Sequence, residues 1–362
     1  MQFEILHPRD LADADAASWR SLARAHPDTS TPFLGPDYAR LVADCGGPDA
    51  ARARVLVIRE KGEAVGFMAY RKGRLGACAI GAPFTDYQGL VAAPGLGLTP
   101  EELVGALKVG RLDFTGVPST QALFCDHFRE HDESLLALLP DGYEAFSKDR
   151  KAAGTDVLPE AARKKRKLVR EVGEVTFEAC RQEGAALELL FEWKSRQFRE
   201  TGQPDVLAPQ WPRTLMRRLA QSPDPGCRAE IFALKVEGRT IAVNLSLRGE
   251  TSLHAWVIAH DAEFHRYSPG ALLFDEILRW MPQERLTELD FGPCSYPFKV
   301  RLSNGRRKVG VGYLGRPSVA SAVSGLAWGL REAAEKAPLG RVSHWPAKAM
   351  RRLERFSTLH GV

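Results

Sequence analysis

The residues best suited to chemistry lie between positions 251 and 299. Arg266, Ser268, Gly270 and Ala271 fall within six residues, just ahead of a helical pattern. A helix N-terminus leaves backbone N–H groups unpaired and carries partial positive charge. Small residues there let a phosphate approach, and an arginine adds charge at the entrance. Ser268 suits the N-cap and Pro269 the first helical position. An ordinary well-capped helix would use the same residues. Further on, Asp290 places a charge at the end of the apolar strand LTELDFG, where it can serve as a base, a substrate anchor or a structural acceptor. Lys299 ends the segment YPFK and can hold an anionic or carbonyl group. His254, His260 and His265 match no common metal-ligand spacing, so no metal is expected.

These residues need a frame. A strand over Thr251–Ile258 comes first, then a helix from about Pro269 to Met281 that buries Leu273, Phe274, Ile277, Leu278 and Met281 at helical spacing. A second strand over Leu286–Phe291 and a Gly-Pro turn lead to Tyr296 and Lys299. Upstream, residues 1–50 read as helix and loop, and Arg54–Tyr70 as a hairpin turning at Gly62. The loop PFTDYQG presents Asp86 and Tyr87. Thr99 and Pro100 start a helix. The basic run within Ala161–Val172 reads as a helix that is either a solvated connector or a phosphate-facing surface. Glu188–Thr201 and Trp211–Ala220 are amphipathic helices; Trp193 and Arg196 on the first can border an acceptor groove.

A second hairpin, EIFALKVEGRTIAVNLSLRG, repeats the first, VLVIREKGEAVGFMAYRKG. Gly62 and Gly73 correspond to Gly238 and Gly249, an offset of 176 residues. Repetition after half the chain, each time behind helices, points to a duplicated α/β domain. The first half lacks the basic and small-residue loop, so a phosphate-bearing ligand belongs to the second.

Length supports two domains. A chain with 44% hydrophobic and 26% charged residues is of ordinary globular type. Six scattered cysteines without a C-x-x-C pair argue against a zinc site or disulfide framework and suit a reducing compartment. The longest uncharged run near the C-terminus, Pro317–Leu330, is 14 residues, short of the roughly 20 needed to span a membrane. A cytoplasmic protein is expected, with peripheral contact at the inner membrane face allowed. From Arg301 onward there are 12 Lys and Arg against 3 Asp and Glu, a local +9 that favours anionic partners. Two helices are expected there, Ser318–Ala334 and Pro346–Phe356, able to meet anionic lipid or an anionic nucleotide.

Arg266-Tyr267-Ser268-Pro269-Gly270-Ala271 is similar to the R/Q-x-x-G-x-G/A pyrophosphate loop of GNAT acyltransferases, with Pro269 where the first glycine is expected. YSPGALLFDEI and LDFGPCSYPFK resemble the CelD/BcsL-like branch of that superfamily, bacterial proteins tied to exopolysaccharide synthesis, with a FemAB-like architecture. The resemblance covers roughly residues 20–315 and includes PFTDYQG and the basic helix. It implies two tandem GNAT-like α/β domains, each a mixed, mostly antiparallel sheet flanked by helices. The expected limits are residues 1–155 without a cofactor loop, 156–316 with the acyl-CoA site, and a basic helical tail over 317–362. It implies acetyl-CoA or another acyl-CoA as co-substrate, with the pantetheine arm along Trp256, Val257 and Ile258 and the diphosphate on Arg266, Ser268, Gly270 and Ala271. Tyr296 takes the place where such enzymes hold a general acid, beside Asp290 and Lys299. Asp86 and Tyr87 become acceptor contacts with Trp193 and Arg196. The expected acceptor is an amino sugar of a polysaccharide or lipid-linked precursor; no DNA partner is expected. The alternatives are FemAB-type transfer from aminoacyl-tRNA, or a non-catalytic scaffold acting through its basic tail.

Overall fold

The protein is seen in a computed structural model, which describes residues 1–73, 76–180, 184–293 and 296–315. The basic segment 317–362, expected as two helices, lies outside the described residues. In chain order the elements are β1 (Gln2–Leu6), α1 (Asp13–Arg24), α2 (Pro36–Asp44), α3 (Asp49–Arg52), β2 (Ala53–Glu60), β3 (Glu63–Lys72), β4 (Ala77–Cys78), β5 (Val91–Ala92), α4 (Pro100–Ala106), β6 (Arg111–Pro118) and α5 (Ala122–Cys125). There follow β7 (Phe128–Leu138), α6 (Gly142–Ala152), α7 (Val157–Glu171), β8 (Val175–Cys180), α8 (Gly184–Glu200), α9 (Gln210–Gln221), β9 (Arg228–Val236), β10 (Arg239–Arg248), β11 (Ser252–His260), α10 (Pro269–Trp280), β12 (Glu288–Pro293), α11 (Pro297–Leu302) and β13 (Gly305–Gly315).

Two compact units emerge. Among the described residues, one comprises Met1–Asp132 with Lys308–Gly315, the other Glu133–Arg307. The second unit starts well before the boundary expected near residue 155. The reason is packing: Leu135, Ala137 and Leu139 from β7 and its end, with Tyr143 and Phe146 from α6, are buried in the same core as Phe232, Leu253, Phe274 and Leu289. In the first unit, Leu56, Met68, Tyr70, Leu103, Phe114 and Leu314 form the core.

Strand order in the first unit is β1-β2-β3-β4-β6-β13, antiparallel except for the parallel pair β4–β6, with β5 added beside β3. Order in the second is β8-β9-β10-β11-β12-β7, again antiparallel except for one parallel pair, β11–β12. The expected fold class therefore holds: each unit is a mixed, mostly antiparallel sheet flanked by helices.

The repeat extends to backbone detail. Lys61-Gly62 and Glu237-Gly238 turn the two hairpins, all four with positive φ (50°, 90°, 47° and 76°). A two-residue turn of this hand matches strand twist, and glycine occupies its second position without strain. Both hairpins skip one residue of the second strand at the same place, Val65 and Ile241, because Arg59 pairs Ala64 while Ile58 pairs Gly66, and Lys235 pairs Thr240 while Leu234 pairs Ala242. Gly73 N–H then donates to Gly76 O at 2.7 Å, and Gly249 N–H to Ser252 O at 2.9 Å. Arg71 pairs Cys78 as Leu247 pairs His254.

Four strands were absent from the sequence reading: β8, whose VTFEAC does alternate, and three without a clean strand pattern. β1 alternates across an edge and leaves Gln2, Phe3 and Glu4 exposed, so it lacks a continuous apolar run. β7 begins with the charged sequence FREHDE, and β13 with GRRK. Their partners, not their propensities, make them strands.

Candidate active site

The site is built where β11 and β12 part. They pair through Ser252–Glu288, Leu253–Leu289 and His254–Asp290, and the described rungs stop there, although β11 continues to His260 and β12 to Pro293. On the other flank of β11, Leu245 pairs Val257 while Leu247 pairs His254, so Ala255 and Trp256 together face Ser246. Such a bulge bends a strand and interrupts the ladder locally. Ser246 and Asn244, both fully buried, hold it: Ser246 Oγ donates to Asn244 Oδ1 at 2.6 Å, and Asn244 Nδ2 donates to Val257 O at 3.1 Å. A notch results, with Trp256, Val257 and Ile258 on one wall and Phe291 on the other.

The base of the notch is Asp290, buried at 3% exposure. Its carboxylate accepts from Ser134 Oγ at 2.5 Å, Gly292 N–H at 2.8 Å and Arg307 Nη1 at 2.9 Å, and His254 Nδ1 lies 3.6 Å away. Arg307 also reaches Glu288 at 3.0 Å. Burial raises the carboxyl pKa, but His254, Arg307 and Ser134 outweigh it and hold the group well below the usual carboxylate range. A carboxylate so saturated is a weak proton acceptor and a strong clasp: it ties β7, β11, β12 and the start of β13 together where the strands begin to part.

An open helix start lies at α10. Ser268 occupies the N-cap in the left-handed region (φ 53°, ψ 54°) and makes no side-chain cap, contrary to the sequence expectation. Its hydroxyl instead accepts from Lys164 Nζ at 2.7 Å, and its carbonyl accepts from the N–H groups of Ala271 and Leu272. A Cβ on Gly270 would sit 3.4 Å from Ile258 Cδ1, an ordinary contact, which places the first turn of α10 beside β11. Arg266, with 65% of its side chain exposed, rests on the Tyr267 ring and donates to the Tyr267 hydroxyl, which in turn donates to Glu171 at 2.9 Å. Helix α7, the basic run of the sequence, thus packs beside this loop. Lys165 pairs with Glu276 of α10 at 2.6 Å.

At the mouth of the notch stand two lysines. Lys299, expected in a polar loop, is the third residue of α11 and is buried; its Nζ donates to Phe291 O at 3.2 Å. Phe298 keeps α11 in place by packing against Phe274, whose ring also meets Phe291 edge-on. Tyr296 precedes the helix, 63% exposed, with its ring 5.8 Å from Lys299 Nζ. Lys194 of α8 reaches the opposite wall: its Nζ lies 3.4 Å from Ile258 O and 3.0 Å from Gln197 Oε1. Burial, then the charge of Lys299, lowers its pKa.

The structure brings Asp290, Tyr296, Lys299, Trp256, Val257, Ile258, Arg266, Ser268, Gly270 and Ala271 into one region of the second unit. Trp193, half-buried, flanks Lys194 in sequence, whereas exposed Arg196 is paired with Glu192 at 2.6 Å. Asp86 and Tyr87 belong to the first unit. Tyr87 is buried beside Phe33, a packing position rather than the exposed loop position expected, and with Trp19, Thr85 and Gln88 it lines a narrow internal cavity. The sequence reading missed Lys194, Asn244, Ser246, Ser134 and Arg307, while Lys164 belongs to the basic run read as either a solvated connector or a phosphate-facing surface. Only Asn244 and Ser246 carried a local signal, two polar residues inside the apolar strand IAVNLSL.

Residues 160–300 match the family described as acetyltransferase (GNAT) domain. No curated protein matches the sequence. Among solved structures, FemX aligns over 90% of this chain and 100% of its own at 12% identity and TM-score 0.56. A conserved protein of unknown function from Bacteroides thetaiotaomicron aligns over 86% and 99% at 11% identity and TM-score 0.53. The C-terminal DUF2156 domain of a protein described as a lysylphosphatidylglycerol synthetase, from Agrobacterium fabrum, aligns over 86% and 95% at 11% identity and TM-score 0.52. At such identities the likeness concerns the fold. None of the described helices is long and apolar enough to cross a membrane. The stretch that matches the GNAT acetyltransferase domain is the part of the chain that holds the parted strands and the open helix start.

Proposed function

We propose that the second unit transfers an acyl group, acetyl by default, from acyl-CoA to the amine of an amino sugar in an exopolysaccharide or its lipid-linked precursor. The observation that carries the donor half is the notch itself. Beyond His254–Asp290 the described β11–β12 rungs stop, and an extended pantetheine arm can lie between the parted strands along Trp256, Val257 and Ile258. The notch opens beside Arg266, Lys164 and the open first turn of α10, which suit a diphosphate. Lys299, fixed on Phe291 O, supplies a cation for the oxyanion of the tetrahedral intermediate. Asp290 clasps the strands together at the base of the notch rather than taking protons. The acceptor half rests on the sequence resemblance alone.

Calorimetry with acetyl-CoA tests the donor. Binding that weakens at least tenfold in Arg266→Ala and Gly270→Glu supports it; no binding at millimolar acetyl-CoA overturns it. A thiol-release assay with glucosamine then tests the acceptor class. One observation favours a second reading, transfer from aminoacyl-tRNA: α7 carries Arg163, Lys164, Lys165, Arg166, Lys167 and Arg170 beside the same loop. Filter binding of aminoacyl-tRNA without acetyl-CoA binding would select it.

A further inference from the structure

Acyl transfer to an amine needs a group that moves one proton. The attacking nitrogen becomes cationic, and the departing thiolate must be protonated. Asp290 is a poor proton acceptor, held ionised at the base of the notch by Ser134, Gly292 and Arg307. Lys299 is tied to Phe291 O and buried. Lys194 is placed differently. It projects from α8 to the wall of the notch opposite Lys299, with Nζ 3.4 Å from Ile258 O. Its remaining contacts are weak holders: Gln197 Oε1 at 3.0 Å and the Phe198 ring, 5.5 Å to the centroid.

We propose that Lys194 is the acid–base residue of the acyl transfer. This assignment rests on the reading of the notch as an acyl-CoA site. The acceptor enters as a neutral amine and attacks the thioester carbon; a C–N bond forms and the carbonyl π pair moves to oxygen, facing Lys299. Neutral Lys194 takes a proton from the cationic nitrogen. Collapse of the tetrahedral centre breaks the C–S bond, leaving its electron pair on sulfur, and the Lys194 ammonium gives the proton to the thiolate. Amide and thiol leave, and Lys194 is neutral again. No further reactant is needed.

The surroundings favour the neutral amine. Lys194 is largely withdrawn from water, and the charged group acting on it from α11 is another cation, Lys299; both lower its pKa. From β11 it is faced by His260, whose own pKa is lowered by burial, by His265 3.3 Å away and by Lys194, while Asp261 acts in the opposite sense. On its own helix, Glu192 is engaged by Arg196.

A neutral amine at a bound thioester can itself be acylated, which allows a test without the acceptor. The full chain is incubated with acetyl-CoA alone, and lysine acetylation is mapped by peptide mass spectrometry across pH. Lys194 should be acetylated at least about tenfold faster than exposed Lys61 and Lys151, with protection by excess CoA. Its pH midpoint should lie below theirs and rise in Lys299→Met, which removes the neighbouring cation. In turnover with glucosamine, Lys194→Met and Lys194→Arg should each lower kcat about 100-fold with KM for acetyl-CoA within about threefold. Acetyl-CoA that binds by calorimetry while Lys194 reacts no faster than Lys61 overturns the proposal. So does full kcat in Lys194→Arg, whose guanidinium stays charged and can neither accept nor give up the proton. Absence of acetyl-CoA binding is a separate result, and overturns the acyl-CoA reading on which the proposal rests.

Discussion

The same two positions of the repeated frame are in opposite chemical states in the two units. After the parallel crossover strand, each unit starts a helix behind a hydroxyl residue and a proline: Thr99-Pro100 in the first, Ser268-Pro269 in the second. In the first, Glu101 and Glu102 follow. Thr99 Oγ1 accepts from Glu102 N–H at 3.2 Å and Glu102 accepts from Thr99 N–H at 2.8 Å, so a carboxylate closes the positive end of the helix. In the second, Gly270 and Ala271 follow, and the Ser268 hydroxyl is turned to Lys164. One end is neutralised from within; the other is left for an anion. The rung after the crossover differs likewise. Leu112 pairs Ala77 and Leu289 pairs Leu253, which makes Asp113 the counterpart of Asp290. Asp113 has Arg111 as partner, and burial outweighs that cation and raises its pKa. Asp290 has Ser134, His254 and Arg307, and its pKa is held low. The two units share the frame; a few substitutions set which helix start is closed by its own carboxylate and which is open.

The largest expected effect is at that rung. Asp290→Asn should destabilise the protein by about 3–5 kcal/mol, because Arg307 and His254 lose their buried counter-charge. Asp113→Asn should change stability by no more than about 1 kcal/mol, since burial already opposes its charge. Urea unfolding followed by tryptophan fluorescence checks both; equal losses would break the comparison. The pH dependence has a definite sign. The folded pKa of Asp290 lies below its unfolded value of about 3.9. Its contribution is therefore complete above that value and lost as pH falls through the folded pKa. Asp290→Asn should accordingly flatten the acid limb of the stability curve. Next in size, Lys299→Met should cut kcat about 10²–10³-fold if the cation faces the oxyanion. Gly270→Glu rebuilds the first unit's helix start in the second and should raise the Kd for acetyl-CoA about 10- to 100-fold, through lost approach and added negative charge. Lys164→Ala should weaken acetyl-CoA by roughly three- to tenfold, and pantetheine-only donors not at all. The smallest effect tests the likeness rather than the difference: Gly62→Ala and Gly238→Ala should each cost about 1 kcal/mol, because both hairpins need a positive φ there.

Much of this was written locally. The two hairpins carried their turn glycines at one offset, and the capped start at Thr99 was visible as Thr-Pro-Glu-Glu. The Arg266–Ala271 loop stood out because small residues and an arginine meet at a helix start. The side chains that complete the site were not legible for a physical reason. Lys194 lies on a helix where its neighbours look like any solvated face, and Ser134 and Arg307 lie more than 150 residues and 17 residues from Asp290.

The sequence by itself determined the repeat, the elements with clean periodicity and the chemistry at the start of α10, because turns, caps and amphipathic faces depend on residues a few positions apart. Only tertiary structure decided that β1, β7 and β13 are strands, that Asp290 is a clasp, that Tyr87 is packed inside the first unit, and that Lys194 stands across from Lys299. Those outcomes depend on ladder partners and on burial, which set pairing and charge through neighbours remote in the chain.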